Sequence, residues 1–232
     1  EPFHPRTRDK PIPVHRDPVS GLLVLERFER PEDYYAADKP PDRDESMQYS
    51  ITELASGASL KTRTLDDQQR RFAMFRDRLA GKSVCDYGAG FGGFVRLAAQ
   101  VAERCAGVEL RAHCHAHAAE QFPEIPFVTD IGSLDGAFDV ITLFHVLEHL
   151  PDLKVAFRLF ARLLSPGGTL VMVIPNGSGP TAMQLGAAMI SQEHVTSLTA
   201  EFFDRNVADY GFTLRYMTEP YSGTPRDYAQ IS

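Results

Sequence analysis

Two groups of residues stand at spacings that chemistry can use. The first is Val84-Cys85-Asp86-Tyr87-Gly88-Ala89-Gly90-Phe91-Gly92-Gly93-Phe94, a glycine-rich loop between an apolar run and an amphipathic stretch. Glycines there let the backbone turn sharply and approach a ligand, since no Cβ intervenes. Glu109 follows about 20 residues on, at the end of the next apolar run, where a carboxylate accepts both hydroxyls of a ribose. Loop and acid together predict a cradle for a nucleotide cofactor. Gly88, Gly90 and Gly93 satisfy the dinucleotide pattern G-x-G-x-x-G, while Asp86, Gly88, Gly90 and Gly92 satisfy D-x-G-x-G-x-G. The loop alone leaves both open, beside a plain strand-to-helix turn that holds nothing.

The second group is His145, Glu148 and His149, just past the strongly apolar run 138–144. Spacing of i, i+3 and i+4 puts the three on one side of a short helix. Imidazole titrates near neutrality, so His145 or His149 suits a general base or an acceptor-orienting group. Two histidines and a carboxylate also make a sound donor set for a divalent ion. The third reading is a hydrogen-bonded network that only shapes a pocket.

These groups need a scaffold, and the apolar pattern supplies one. A helix is expected after Thr64, with Thr64 as its cap and Leu65, Phe72, Phe75 and Leu79 as its apolar stripe. Beyond Gly81 the pattern alternates between strands at 83–87, 105–110, 126–129, 138–144 and 169–174 and helices between them. Leu153, Ala156, Phe157, Phe160 and Leu164 mark one such helix, stopped by Ser165-Pro166-Gly167-Gly168. Continuous apolar strands alternating with helices mean a doubly wound, mostly parallel α/β sheet with helices on both faces. A helix at 200–210 and two last strands, 212–217 and 227–231, complete a sheet of seven strands. Residues 1–63 are rich in proline and read as a covering arm, with a short hairpin around Asp17-Pro18-Val19-Ser20-Gly21. Residues 64–232 form the main domain.

Composition narrows the function classes. The chain has 232 residues, 43% hydrophobic and 24% charged, which suits one ordinary globular domain with an elaborated terminus. With 24 basic against 31 acidic residues and a formal net charge of -7, the surface is ill suited to gripping phosphate backbones, so nucleic acid is not the expected partner. Three cysteines without paired spacing fit free thiols in a reducing compartment. No apolar run reaches the about 18 residues of a membrane span, and no signal-peptide pattern is visible, so the cytoplasm is the expected location.

The stretch Phe138-Asp139-Val140-Ile141-Thr142-Leu143-Phe144-His145-Val146-Leu147-Glu148-His149-Leu150-Pro151-Asp152, followed by Leu164-Ser165-Pro166-Gly167-Gly168-Thr169-Leu170, resembles class I methyltransferases that use S-adenosylmethionine. Thr129-Asp130-Ile131 also stands where that family reads adenine. The resemblance runs from Thr64 to the C-terminus, with the motifs in the family's order, and the 144–150 segment is similar to ubiquinone-pathway O-methyltransferases and sugar-modifying enzymes. It implies that Asp86, Tyr87, Gly88, Gly90 and Gly92 line the methionine part of the cofactor and that Glu109 holds the ribose. Leu110 packs on adenine, Asp130 and Ile131 bind its edge, and the backbone near Phe144 meets the methionine amino group. Some relatives carry Glu-x-x-Glu-His plus a later histidine as metal ligands. On that pattern His145, Glu148, His149 and His194 form the candidate catalytic and metal set, although His145 replaces the first glutamate and argues against magnesium.

The expected function is methyl transfer to a small-molecule acceptor, such as the hydroxyl of a sugar or quinone. The rivals are an NAD(P)-dependent oxidoreductase on the same loop and a cofactor-binding module without catalysis. His113 and His117 lie i, i+4 after Glu109 and read as a solvated helix face. Gly177-Ser178-Gly179-Pro180 and the apolar stretch 182–190 read equally as a movable cover or as ordinary core packing. Phe28, Tyr34 and Tyr35 are aromatic candidates for the other side of the acceptor pocket.

Overall fold

The computed structural model describes residues 1–7, 10–27, 49–53, 59–63, 65–174, 190, 194–221 and 224–231. The expected cap Thr64, the cover at 177–189 and the aromatics Phe28, Tyr34 and Tyr35 lie outside them. From the N-terminus come strands β1 (Pro2–His4), β2 (Val14–Arg16), β3 (Leu23–Leu25), β4 (Tyr49–Glu53) and β5 (Ser59–Arg63), then helix α1 (Leu65–Leu79). Next are β6 (Ser83–Tyr87), α2 (Gly93–Ala98), β7 (Arg104–Val108), α3 (Ala112–Gln121), β8 (Phe127–Val128) and β9 (Phe138–Phe144). The rest is α4 (Leu153–Leu163), β10 (Leu164–Val173), β11 (Thr196–Ser197), α5 (Ala200–Asn206), β12 (Leu214–Tyr221) and β13 (Thr224–Ile231). The described chain divides into two compact units, Asp33–Gly136 and the pair Glu1–Glu32 with Ala137–Ser232.

In the first unit β6, β7 and β8 pair parallel in that order, from Ser83↔Arg104 to Val108↔Val128. Strand β6 is buried along Val84, Cys85 and Asp86 because a parallel strand is covered on both faces. Helix α1 buries Phe75 and Leu79, the last two positions of its expected stripe, and α2 buries Phe94, Val95 and Ala98. Strand β7 ends at Val108, sooner than the apolar run suggested, so Glu109 and Leu110 stand past its carboxyl end. Strand β4 pairs with β5 in a separate antiparallel hairpin.

In the second unit β9 and β10 pair parallel, and β10 pairs antiparallel with β13, which pairs antiparallel with β12. Because β13 opposes both neighbours, β12 runs in the same sense as β10. Each unit thus has adjacent parallel strands with helices between them, the mostly parallel α/β arrangement expected. Helix α4 starts where the Asp152 carboxylate accepts from Val155 N, and it buries Leu153, Ala156, Phe157 and Phe160. The expected stop at Ser165-Pro166-Gly167-Gly168 belongs to β10, as a bulge between the Leu164↔Phe138 and Thr169↔Val140 pairs. Phe157 stacks on Tyr210 at 5.3 Å and meets Phe202 at 6.3 Å, fixing α5 and the following 3-10 turn against α4. The N-terminal hairpin forms as β2 and β3, within a small sheet of order β1-β2-β3-β11.

Candidate functional site

The glycine loop leaves β6 and is tied down at once: Gly88 N and Ala89 N both donate to Val108 O, at 2.8 and 2.9 Å. Gly88, Gly90 and Gly92 all take positive φ. At Gly92 the reason is double, since φ is +77° and an added Cβ would sit 2.7 Å from the Phe127 ring and 3.2 Å from Ala118 Cβ. Glycine is therefore required there for conformation and for space.

Glu109 is 5% exposed, and its carboxylate closes on the loop. Oε2 accepts from Gly90 N at 2.7 Å, while Oε1 accepts from Arg111 N at 2.8 Å and Arg111 Nε at 3.2 Å. The acid is thus a structural part of the loop as well as a candidate ribose acceptor, with a further lone pair left on Oε2. Arg111 was not legible as a functional residue: the only hint is a guanidinium two positions after the acid. Asp86 is buried at 3% exposure beneath the loop. Burial raises the Tyr87 phenol above its usual range, and the nearby Asp130 charge adds to the shift. Leu110 is 53% exposed, an apolar side chain left bare beside Glu109. Asp130, past β8, caps a 3-10 turn by accepting from Gly132 N at 2.9 Å, and Ile131 is buried. Asp86, Glu109 and Asp130 thus mark the carboxyl ends of three adjacent parallel strands, where open α/β sheets bind ligands.

The buried thiols nearby are fillers. Burial foremost, then the Asp86 charge, pushes Cys105 up to about 12, and Cys85 is raised for the same reasons. His113, His115 and His117 are half-buried, which corrects the expectation of a solvated face. His117 meets the Phe91 ring edge-on at 5.2 Å, and His113 lies 6.1 Å from it, so α3 packs on the loop through imidazoles.

In the other unit, Phe144 ends β9 and His145 N donates to Val173 O at 2.7 Å. His145 has φ +59°, the one positive value among described non-glycine residues. The left-handed position breaks any helix there, so the expected short α-helix is replaced by a 3-10 turn at Leu147–His149. Left-handed residues without glycine's freedom gather at functional sites. The turn sends Glu148 inward to 1% exposure and leaves His145 and His149 half-buried. Ligand atoms of Glu148, His149 and His194 lie within 4.8 Å of one another, and the His149 and His194 rings meet edge to face at 5.0 Å. His145 stands apart from that trio and faces Glu148, its Nδ1 3.6 Å from Oε1. Neither Glu148 oxygen has a hydrogen-bond partner among the described residues. Burial pushes the Glu148 carboxyl up, but His145 and then His149 outweigh it and hold the group below the ordinary carboxylate value. A buried carboxylate beside imidazoles, with its lone pairs unspent, fits a cation or an acceptor hydroxyl.

Among described residues no helix is long and apolar enough to cross a membrane. A family described as a methyltransferase domain matches residues 62–216. The chain is 31% identical over 153 residues to a ubiquinone biosynthesis O-methyltransferase of Xanthomonas oryzae pv. oryzae, covering 62% of this chain and 63% of that protein. A namesake from Xanthomonas campestris pv. campestris matches to the same extent. The chain thus spans 63% of the length of these relatives. An S-adenosylmethionine-dependent methyltransferase of Mesorhizobium loti superposes with TM-score 0.56 at 19% identity, covering 72% of this chain and 99% of the other. A magnesium protoporphyrin IX methyltransferase of Synechocystis PCC 6803, solved with bound S-adenosylhomocysteine, gives 0.55 at 19% identity, covering 72% and 82%.

Proposed function

Since this chain belongs to the methyltransferase-domain family, we propose that it transfers the methyl group of S-adenosylmethionine to a hydroxyl of a small metabolite of the quinone or sugar class. The observation that carries this reading is the Glu109 carboxylate. It is buried, bound to Gly90 N at 2.7 Å, and placed one residue before the exposed Leu110. That arrangement suits an adenosine: carboxylate for the ribose hydroxyls, leucine for the base, and Asp130 with the Ile131 backbone for its edge. Asp86, Tyr87, Gly88, Gly90 and Gly92 border the methionine part. Family membership favours this over the nicotinamide reading of the same glycines. We assign the transferase to residues 64–232 and a covering role to residues 1–63.

Methyl transfer from a sulfonium is an in-line displacement: the S–CH3 bond breaks as the O–CH3 bond forms. Alignment supplies much of the acceleration. The hydroxyl proton must leave, and a positioned base contributes roughly a hundredfold or more. His149 takes that proton in our reading. Glu148 orients the imidazole and stabilises it once charged, and His145 holds Glu148 ionised.

Glu148, His149 and His194 also fit a divalent ion, because one buried carboxylate oxygen and two imidazoles are suitable donors for zinc, cobalt, nickel or manganese. When bound there, such an ion lowers the pKa of the acceptor hydroxyl. His145 then belongs outside the ligand set, as a partner of Glu148. This departs from the four-ligand set expected from sequence.

The test is turnover after exhaustive chelation, then with each metal restored, in wild type and His149→Ala. As base alone, His149 gives a rate that ignores chelator. As ligand, it makes the chelated enzyme inactive until metal returns. In both cases His149→Ala cuts turnover far more than cofactor affinity. A fully active His149→Ala protein refutes both roles.

A further inference from the structure

His194 reaches the Glu148–His149 pair from a position distant in sequence. It is followed by β11, only two residues long, whose one strand pairing among described residues is with β3 of the N-terminal arm: Thr196↔Val24 and Ser197↔Leu23. Strand β11 also adjoins the Leu147–His149 turn. The arm also grips Ile190, Thr199 and the helix α5 that follows. Ile190, four residues before His194, packs with Val14, Leu23 and Leu25 in an apolar cluster. Thr199 Oγ1 donates to Gly21 O at 2.8 Å while it accepts from Phe202 N to cap α5. Arg16 of β2 pairs with Glu201, and Arg205 donates to Pro18 O at 2.7 Å and Val19 O at 3.1 Å.

We infer that the N-terminal arm positions His194: strand β3 and the turn ending at Gly21 fix Ile190 and residues 194–199 so that the His194 imidazole meets His149 and Glu148. Leu23, Val24 and Gly21 are therefore positioning residues for the site, and the arm is more than a cover. The inference rests on the role proposed above for His194. Its physical basis is that ligand side chains work only when a supporting shell locks them, and two residues of strand supply no such lock alone.

Gly21→Ala tests it. Gly21 has φ +76°, and its added Cβ would lie 2.9 Å from Glu201 Cγ and 3.2 Å from Cδ, on a side chain already pinned by Arg16 and Arg205. Gly211→Ala is the matched control, with φ +83° and nothing within 4 Å of the new Cβ. In protein with labelled histidine, wild type and Gly211→Ala should show a nuclear Overhauser contact between the His149 and His194 rings, and Gly21→Ala should lose it. Cobalt affinity should fall by roughly 10–100-fold in Gly21→Ala, the range for loss of a supporting partner. S-adenosylhomocysteine affinity should hold within about twofold, since its proposed ligands lie outside the arm, Ile190 and residues 194–199. Arg16→Gln, a milder change, should move both readouts the same way and serves if Gly21→Ala does not fold. Ring contact and cobalt affinity at wild-type values in both variants, with hydrogen exchange at Leu23–Leu25 faster than wild type, overturn the inference. A wild type without the ring contact overturns it as well. If wild type shows the contact but binds no cobalt, the metal reading fails while the ring contact still decides the arm's role.

Discussion

Replacing Glu109 by glutamine removes one acceptor and changes almost no volume. In the structure each carboxylate oxygen already takes a backbone N–H, Gly90 N on Oε2 and Arg111 N on Oε1. An amide offers one acceptor and one donor, so whichever way it turns, an N–H faces an N–H. One hydrogen bond to a charged group is lost, costing about 1.5–3 kcal/mol. In a chain of this size that lowers the melting temperature by roughly 3–12 °C. The fold survives this, although the loop becomes the weak point, because the acid is buried rather than simply perched at a strand end. Cofactor affinity falls separately, since the ribose hydroxyls then meet a neutral amide in place of a charged carboxylate. A second loss of about 1.5–3 kcal/mol means roughly 10- to 150-fold weaker binding of S-adenosylhomocysteine. Titration calorimetry on wild type and Glu109→Gln measures it, with thermal unfolding run in parallel. Unchanged affinity in a protein whose melting point has dropped as expected would show that Glu109 scaffolds the loop and never touches the ribose.

Gly92→Ala combines left-handed strain of about 1–2 kcal/mol with overpacking against Phe127 of about 1–3 kcal/mol, so urea unfolding should show about 2–5 kcal/mol of destabilisation. A loss under about 0.5 kcal/mol would mean that Phe127 and the backbone relax freely. Glu148 is held below its ordinary pKa, so its contribution to stability is present above the unfolded carboxylate's pKa and disappears as pH falls through the folded value. Glu148→Gln should therefore lower the melting temperature more at neutral pH than below about pH 4, and an equal drop at both would contradict the ionised assignment. His149→Ala should cut turnover while leaving S-adenosylhomocysteine affinity within about twofold; a loss of binding matching the loss of rate would place the residue at the cofactor instead.

The parallel strands were readable because burial on both faces makes them continuous apolar runs, as Phe138–Phe144 shows. Glu109 and the glycine loop were readable for a related reason: their chemistry depends on order along a strand-loop-helix unit. Contacts between distant segments leave no such trace. Nothing in Leu23-Val24 announces that its partner is Thr196-Ser197, more than 170 positions away, because a backbone ladder carries no side-chain signature. The histidine cluster fell between these cases. Residue types and spacing were informative, but the positive φ of His145 turned an expected helical face into a 3-10 turn, which separates His145 from the converging trio. Arg111 escaped notice because its function is to brace Glu109, a relation visible only once the carboxylate is seen between two N–H donors.

The central claim is methyl transfer to a small molecule, and one measurement addresses it directly. Protein is incubated with methyl-labelled S-adenosylmethionine and, in parallel, with a low-molecular-weight metabolite extract, total RNA or a protein extract. Label should enter a small hydroxylated metabolite, identified by a mass gain of one methyl group, at a rate strongly reduced in Glu109→Gln. Label found in RNA or protein, or no transfer to any fraction by an enzyme that binds NAD in calorimetry, would contradict the account.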